Sequence, residues 1–293
     1  MSDSRKGFSA FSFDSFPKEL LPHRPERTSK GDFGRVLCIC GSLGMSGAAF
    51  LCAKAAYRTG AGLVEIFTPE ENRIILQSTL PEAIVTAYNE ENFENLLLNS
   101  IQKATTIVAG CGLSVTPLSR KILSGLLHNI DTDKTPLILD ADALNLVSKN
   151  PSFLKYIKNT VITPHFVEFS RLSSASLQEI SSTPEDFAYS YAKKNSLICV
   201  LKDHNTVVSD GTDRLYINNT GNNGMSTGGS GDVLAGILAG LLAQTKQVSL
   251  DTVALAVYIH GLCGDIATKS LSQQSLMATD IIDALPILFN GIN

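Results

Sequence analysis

Residues 218–240 read NNTGNNGMSTGGSGDVLAGILAG, an Asn-Gly loop followed by an apolar run with helical spacing. Glycines allow a ligand to approach the main chain closely, and a glycine-rich turn that leads into a helix directs unpaired N–H groups outward. The helix adds the equivalent of roughly half a positive charge at that end. This stretch therefore predicts an anion site, for which phosphate is the usual ligand.

Asp232 stands at the end of the glycine loop, directly after Gly231. A carboxylate repels phosphate, so two other interpretations of this residue stay open. It caps the helix, or it is a base placed where a hydroxyl meets the terminal phosphate of a nucleotide. Because an unperturbed Asp has a pKa of about 3.9, we expect this carboxylate to be ionised at neutral pH.

The composition fits a soluble globular protein of the α/β class. The chain has 293 residues, 44% hydrophobic and 18% charged, which a single α/β domain accommodates. A net charge of −4 without a basic block argues against nucleic acid as a partner. The 6 cysteines form no C-x-x-C pair, so we expect reduced, buried cysteines of a cytosolic protein, not a disulfide framework or a zinc site.

Apolar strands alternate with helical segments along most of the chain. Strands are predicted at residues 35–40, 63–67, 105–109, 136–139, 161–163 and 197–201, with a hairpin of 206–209 and 214–217. Helices are predicted at residues 48–59, 117–129, 184–194, 232–244, 250–269 and 279–288. This alternation predicts an α/β fold in which helices cover both faces of a mostly parallel central sheet, a three-layer αβα sandwich.

The two ends of the chain carry further expectations. Residues 1–29 contain no continuous apolar core of a secretory signal. We expect them to be a lead-in segment whose phenylalanines and leucines anchor it to a single domain at 30–293. The longest apolar runs of the C-terminal half, 233–245 and 252–264, are too short to span a bilayer, so no membrane association is predicted.

Unusual residues follow four of the predicted strands: Gly-Cys-Gly at 110–112, and polar residues at 140–145, 163–168 and 202–205. In parallel sheets ligands bind beyond the carboxyl ends of the strands, so these segments and the glycine loop predict one crevice along one edge.

Each polar side chain in these segments also has an ordinary structural interpretation. Asp140 and Asp142 either cap the following helix or take part in binding. His165 is either a donor to a polar ligand or a cap. Glu168 either helps to place Mg²⁺ through water or complements the helix dipole. Lys202 either contacts a phosphate or is solvated at a strand end.

The chain resembles the ADP/ATP-dependent NAD(P)H-hydrate dehydratases of the ribokinase-like superfamily. The resemblance rests on residues 30–35, 61–64, 140–145, 163–165 with Glu168, 221–236 and 277–280. It implies a ribokinase-like fold and a hydro-lyase that repairs a damaged cofactor. Such an enzyme uses a nucleotide to remove water from the S epimer of hydrated NADH or NADPH.

The resemblance also implies roles for individual residues. Asp232 would be the catalytic base, and the hydrated dinucleotide would contact Ala48, Gly112, His165 and Asp232. The co-substrate, ADP or ATP, would contact Lys202, Asp203, His204, Asn205, Thr206, Gly228, Gly229, Ser230 and Gly231. Mg²⁺ would bridge the nucleotide phosphates, with Glu168 nearby.

Five positions, at three places in the sequence, depart from the pattern of that family. Cys111 stands where Pro is common, and Phe166-Val167 replaces a frequent Pro-Gly. Asp203-His204 stands where Gly-Ala is usual in the nucleotide segment. The choice between ADP and ATP therefore stays open.

The resemblance further implies a cytoplasmic homo-oligomer that acts alongside a separate NAD(P)H-hydrate epimerase. Two alternatives remain. A ribokinase-like kinase for a vitamin-precursor alcohol, a hydroxymethylpyrimidine or a thiazole, would share the glycine loop and Asp232. A non-catalytic nucleotide-binding protein would share the fold alone. Residues 221–236 and 141–145 favour the dehydratase, and the intact Asp232 argues against the non-catalytic protein.

Overall fold

One ten-stranded sheet runs through the computed structural model, which describes residues 7–292. The strands are β1 Ser9–Phe11, β2 Arg35–Ile39, β3 Leu63–Pro69, β4 Ile84–Tyr88, β5 Thr106–Ala109, β6 Leu137–Leu139, β7 Val161–Ile162, β8 Ile198–Leu201, β9 Val207–Ser209 and β10 Arg214–Ile217. The helices are α1 Ser46–Arg58, α2 Arg73–Thr79, α3 Phe93–Lys103, α4 Pro117–Asn129, α5 Asp142–Lys149, α6 Phe166–Ser173, α7 Leu177–Ser182, α8 Pro184–Asn195, α9 Ser230–Thr245, α10 Leu250–Ala267 and α11 Ala278–Ile292.

The sheet is mostly parallel, as predicted. Its strand order is β1-β10-β9-β8-β7-β6-β5-β2-β3-β4. Strand β9 pairs antiparallel with both of its neighbours, and β9 and β10 form the predicted hairpin. Every other pairing of the described strands is parallel. The carboxyl ends of the central strands therefore meet along one edge.

Two hydrophobic cores confirm the three-layer arrangement. Side chains of β2 alternate between the sheet faces, so that Val36 and Cys38 join one core and Leu37 and Ile39 join the other. The first core also contains the buried faces of α1, α9, α10 and α11. The second contains those of α3, α4, α5 and α8.

Residues 7–29 contribute to the sheet itself. Strand β1, within the predicted lead-in segment, pairs parallel with β10. The rings of Phe11 and Phe13 lie 5.4 Å and 5.0 Å from that of Tyr216, and Phe16 packs on Tyr258. These aromatic contacts are the expected anchoring, whereas the strand was not expected from the sequence. Residues 1–6 of the lead-in lie outside the described residues.

Helix α10 is longer than the apolar run seen in the sequence. It has 18 residues and a mean hydropathy of 1.3, and it is the one helix of residues 7–292 long and apolar enough to cross a membrane. The expectation that this run is too short is therefore wrong. Because 67% of the helix is buried inside the protein, its apolar character is accounted for by packing against α9 and α11, as in any core helix.

Helices α1 and α9 pack closely because glycines line their contact. A Cβ added at Gly236 would lie 2.2 Å from the carbonyl oxygen of Cys52, and one added at Gly240 would lie 2.7 Å from that of Ala56. Such distances are below van der Waals contact, so the close approach of the two main chains requires glycine at both positions. This packing fixes the start of α9 relative to the sheet.

The close packing gives a stability prediction for Gly236→Ala. We expect this substitution to lower the free energy of unfolding by about 1–3 kcal/mol, because the added methyl overpacks the interface with α1. Gly47→Ala is the matched control. It lies in α1 with open space around its position, so we expect it to be neutral or stabilising by up to about 1 kcal/mol. Urea denaturation of both variants measures the difference, and equal effects would contradict the packing account.

Candidate functional site

The glycine loop and the start of α9 border a cavity of about 680 Å³. Gly229 has a φ of +91° and precedes the first residue of α9, and no side chain caps this end of the helix. Because an α-helix leaves its first N–H groups without intrahelical partners, those of Gly231 and Asp232 are available to a ligand. The predicted anion site thus has the expected main-chain geometry.

Asp232 lies in the first turn of α9 and lines the cavity. Burial and the negative charge of Asp140 raise the pKa of its carboxyl to about 7, and the Cys111 thiol and the Lys202 ammonium only partly offset this. The expectation of an ordinary, fully ionised carboxylate is therefore wrong. Since no side chain caps α9, the alternative interpretation of Asp232 as a cap is also not supported. A pKa near the operating pH is the property that general bases require.

Asp140 and Lys202 form an ion pair at the floor of the cavity. The Nζ of Lys202 donates to Asp140 Oδ1 at 2.8 Å, and the hydroxyl of Thr163 donates to the same oxygen at 2.6 Å. Asp140 is 1% exposed. Burial lowers the pKa of Lys202, but the charges of Asp140 and Glu168 outweigh it, so its pKa lies above the ordinary value. Neither the capping interpretation of Asp140 nor the solvated-lysine interpretation fits this geometry.

Lys202 also reaches the start of α9. A Cβ added at Gly231 would lie 3.3 Å from the lysine Nζ and 3.8 Å from Asp140 Oδ2. The ammonium group and the N–H groups of the helix terminus therefore converge on one place. Both are donors that favour a phosphate.

His165 and Glu168 cap helix α6 reciprocally. The Nδ1 of His165 accepts the N–H groups of Val167 and Glu168 at 3.1 Å and 3.3 Å. Glu168 Oε2 accepts the N–H of His165 at 2.9 Å. The capping interpretation of His165 is thus confirmed, and Glu168 completes the cap, a role that was not predicted for it. The other ring nitrogen, Nε2, lies 3.4 Å from Glu168 Oε1. The His165 side chain is 50% exposed and borders the cavity.

Asp142 holds a loop rather than capping a helix. Its Oδ2 accepts the N–H of Ser114 at 2.8 Å, which ties the segment after β5 to the start of α5.

Ala141, between Asp140 and Asp142, has a φ of +47° and a ψ of −116°, a strained conformation for a residue other than glycine. It lines the cavity. Strain of this kind is typical of functional sites.

Most of the residues predicted to contact nucleotide line this one cavity. They are Lys202, Asp203, His204, Thr206, Gly229, Ser230 and Gly231. Asn205 and Gly228 are neighbours in sequence that do not line it. The polar segments after β6, β7 and β8 thus meet at one edge, as the strand-end argument predicted.

Two of the predicted dinucleotide contacts lie outside this cavity. Ala48 and Gly112 touch each other instead, since a Cβ added at Gly112 would lie 2.8 Å from that of Ala48. Ala48 is on α1 and Gly112 follows β5. The thiol of Cys111, next to Gly112, connects them to the site because a carboxylate oxygen of Asp232 lies within 4.8 Å of its Sγ.

Two residues of α10 support the glycine loop and were not predicted. Asp265 accepts the N–H of Gly221 at 2.8 Å and the side-chain amide of Asn222 at 3.0 Å. His260 contacts the carbonyl oxygen of Ser230 at 3.0 Å through Nε2. Burial, together with the charge of Lys202, lowers the pKa of His260 to about 4, so the ring is neutral. Nothing in the local sequence pattern of an apolar helix signals such contacts.

The pKa of Asp232 predicts how activity depends on pH. If Asp232 acts as a base it must be ionised, so kcat/KM should rise with pH up to about 7 and then level off. Asp140→Asn removes the charge that raises this pKa, so it should move the rising limb to lower pH. A pH profile of both proteins tests the assignment. A limb near pH 4 in the unmodified protein, or no shift in the variant, would contradict it.

The fold and the cavity define an α/β protein with an uncapped helix start and a buried lysine ion pair at the carboxyl edge of its sheet. Residues 36–287 match the family model described as NAD(P)H-hydrate dehydratase. Since this match covers most of the chain, the protein belongs to the NAD(P)H-hydrate dehydratase family.

Curated relatives agree with this family. The chain is 34% identical over 284 residues to a bifunctional NAD(P)H-hydrate repair enzyme of Moorella thermoacetica, covering 94% of this chain and 53% of the relative. It thus spans about half the length of the bifunctional relatives it matches. An ADP-dependent (S)-NAD(P)H-hydrate dehydratase of Enterococcus faecalis is 36% identical over 269 residues, covering 92% of this chain and 89% of the relative.

Solved structures establish the ribokinase-like fold. A ribokinase-like superfamily protein of Enterococcus faecalis has a TM-score of 0.85 and 31% identity, covering 99% of this chain and 98% of that one. An ADP/ATP-dependent NAD(P)H-hydrate dehydratase of Bacillus subtilis, co-crystallised with ATP and Mg²⁺, has a TM-score of 0.77 and 27% identity. It covers 93% of this chain and 95% of that chain.

Proposed function

We propose that this protein is a hydro-lyase that restores hydrated NADH and NADPH, as the S epimer, at the expense of ADP or ATP. The observation that carries the proposal is the position of Asp232. Its carboxyl, with a pKa of about 7, stands in the first turn of a helix whose N–H groups face a cavity. Membership of the NAD(P)H-hydrate dehydratase family then supplies the substrate class.

The chemistry that this site supports is phosphoryl transfer followed by elimination. Hydroxide is a poor leaving group, whereas phosphate is a good one. Asp232 takes the proton of the ring hydroxyl. The hydroxyl oxygen attacks the terminal phosphorus of the nucleotide, and the remainder of the nucleotide departs. The ring nitrogen then expels the phosphate as the C–O bond breaks. A neighbouring ring carbon loses a proton, which restores the reduced nicotinamide.

Charge develops on the oxygens of the transferring phosphoryl group during this reaction. The N–H groups of Gly231 and Asp232 at the start of α9 and the ammonium of Lys202 are positioned to stabilise it. Such preorganised donors contribute a large share of the rate enhancement in reactions of this type. Lys202 is held in place by Asp140, so its charge points into the cavity without a mobile side chain.

We propose that Mg²⁺ enters the site bound chiefly to the phosphates of the nucleotide. The buried carboxylates of Asp140 and Glu168 already accept protein hydrogen bonds, so Glu168 fits a contact to Mg²⁺ only through water. This fits the preference of Mg²⁺ for phosphate oxygens and retained water. When bound, the ion neutralises phosphate charge.

For the hydrated dinucleotide we propose contacts with Ala48, Gly112, His165 and Asp232. The nucleotide would contact the segments from Lys202 to Thr206 and from Gly228 to Gly231. His165 pairs with Lys202 in a β-bridge, so the two sets of contacts would adjoin each other beside Asp232, where a base for hydroxyl attack has to be. His165 lines the cavity there.

We also propose a domain organisation, a cellular location, an oligomeric state and a partner enzyme. We propose a single domain at residues 30–293, a cytoplasmic location, a homo-oligomer and an epimerase of the hydrated cofactor that acts alongside it. The vitamin-precursor kinase is not favoured. A hydroxyethylthiazole kinase of Pyrococcus horikoshii is only 16% identical and shares the fold alone.

A coupled assay tests the proposal. Purified protein is mixed with hydrated NADH, Mg²⁺ and either ADP or ATP, and both inorganic phosphate and the absorbance of reduced nicotinamide are followed. We expect one phosphate for each NADH recovered, and neither without nucleotide. A stable phosphorylated product without recovery of NADH would identify a kinase instead. No turnover with either nucleotide would overturn the proposal.

A further inference from the structure

Three cysteines that are distant in sequence meet beside the proposed base. Cys40 follows β2, Cys52 lies on α1 and Cys111 follows β5. Their Sγ atoms all lie within 4.8 Å of one another, and all three side chains are 0% exposed. No disulfide joins these thiols, which are free cysteines. We call these three residues the trithiol cluster.

The topology explains why these residues meet. Strands β2 and β5 are adjacent and parallel, so residues just beyond their carboxyl ends lie side by side. The N–H of Gly41 donates to the carbonyl oxygen of Cys111 at 2.8 Å, which continues that pairing past the strands. Helix α1 packs on the same face of the sheet and brings Cys52 to both.

Carboxylates adjoin the trithiol cluster on one side. A carboxylate oxygen of Asp140 and one of Asp232 lie within 4.8 Å of each other and of the Cys111 Sγ. Cys111 therefore belongs to a group of three thiols and to a group with two carboxylates. Negative groups next to soft sulfur ligands favour a cation over any anion or neutral ligand.

From the meeting of the three thiols we propose that the trithiol cluster binds a thiophilic divalent cation of the zinc class. Asp232, which lies within 4.8 Å of the Cys111 Sγ but is not grouped with Cys40 or Cys52, would become the fourth ligand by moving toward the cation. Three thiolates and one oxygen ligand are a combination that zinc accepts in tetrahedral sites. Each thiol loses its proton to solvent as its bond to the metal forms. Binding would withdraw Asp232 from catalysis, so the cation would act as an inhibitor.

The dimensions of the cluster suit such a cation. Zinc–sulfur bonds of about 2.3 Å place the sulfur atoms of a tetrahedral site roughly 3.8 Å apart. The thiols, which lie within 4.8 Å of one another, need to approach by at most about 1 Å. Asp232, within 4.8 Å of the Cys111 Sγ, lines the cavity, whereas the three thiols do not.

This site goes beyond the proposed function, because it uses three thiols that the proposed reaction does not need.

Cadmium is the probe, because thiolate-to-cadmium charge transfer gives an ultraviolet absorption band that reports binding without any assay of activity. We expect one equivalent of Cd²⁺ to produce the band of three thiolates in the folded protein. Cys52→Ala removes one ligand without touching Asp232 and should weaken Cd²⁺ binding at least tenfold, a typical lower limit for damage to a metal site. It should also reduce the band to that of two thiolates.

Cys199→Ala is the matched control. Cys199 is a buried cysteine of β8 in the second hydrophobic core, so this variant should bind Cd²⁺ like the unmodified protein. Cys52→Ser serves as a second variant should the alanine destabilise the core, and thermal melts report the folded state of each. Absence of a three-thiolate band in the unmodified protein would overturn the proposal. Equal Cd²⁺ affinity in the Cys52 variants and the unmodified protein would do the same.

The effect on catalysis is measured separately. Turnover of the unmodified protein should fall as Cd²⁺ occupies the site and return on addition of a chelator, while the Cys52 variants should require at least about tenfold more Cd²⁺. Undiminished turnover of the fully occupied protein would contradict the inhibitory role. If the protein shows no dehydratase activity at all, the absorption titration still decides the metal site, so the two proposals fail independently.

Discussion

Asp232→Asn should lower turnover by at least about 10²-fold while nucleotide affinity stays within a few-fold. The amide keeps the size of the side chain but cannot accept the proton of the ring hydroxyl. Nucleotide binding depends instead on the start of α9 and on Lys202, which the substitution leaves in place. Steady-state kinetics with hydrated NADH gives the first quantity, and calorimetric titration with ADP or ATP and Mg²⁺ gives the second.

Asp251→Asn is the control for this experiment. Asp251 is a partly exposed residue at the start of α10 that pairs with Arg214, so the same chemical change there should leave turnover unaltered. Turnover of Asp232→Asn close to that of the unmodified protein would remove Asp232 from the role of base. A large loss of nucleotide affinity in Asp232→Asn would show instead that the carboxylate serves binding.

Lys202→Met should destabilise the protein by about 3–5 kcal/mol, because it leaves the carboxylate of Asp140 buried without its cation. Thr163 would remain the donor to that carboxylate, which is too little to replace an ammonium group. Nucleotide affinity should fall as well, since the lysine supplies the positive charge of the phosphate site. Urea denaturation measures the first effect and nucleotide titration the second.

The double variant Lys202→Met with Asp140→Asn distinguishes the cost of an unpaired buried charge from the cost of lost side-chain packing. Removing both charges should restore much of the lost stability, because no uncompensated carboxylate then remains. Arg214→Met is the matched control. It breaks an ion pair whose side chains are 50% and 39% exposed, which should cost about 1 kcal/mol or less. If Lys202→Met lowers the free energy of unfolding no more than Arg214→Met does, the buried ion pair does not stabilise the protein as expected.

Elements with local signals could be predicted from the sequence, including their bounds. Helix α4 begins after a reciprocal cap by Thr116 and Ser119 with Pro117 as its first residue, and all of these features are visible in the sequence. Strand β10 follows a turn of Asp and Gly residues. By contrast, β4 was missed, because it is an edge strand with Ile84 exposed and lacks the apolar pattern of a buried strand.

The meeting of strand-end residues at one edge of the sheet could be predicted, whereas the energetics of the site could not. Asp140, His165 and Lys202 follow strands that share one edge, so the topology alone brings them to the start of α9. The pKa of Asp232 depends on burial and on its distance from Asp140, which only three-dimensional packing determines. The same holds for the meeting of Cys40, Cys52 and Cys111, since no spacing in the sequence indicates it.

Isotope labelling of the ring oxygen tests most directly whether the phosphoryl group is transferred to the ring hydroxyl of the substrate. Hydrated NADH carrying ¹⁸O in its ring hydroxyl is turned over with unlabelled nucleotide, and the inorganic phosphate is examined by mass spectrometry. Phosphorylation of the hydroxyl followed by C–O cleavage predicts that each released phosphate carries one ¹⁸O atom. Unlabelled phosphate, with the ¹⁸O recovered in water, would contradict transfer of the phosphoryl group to the substrate.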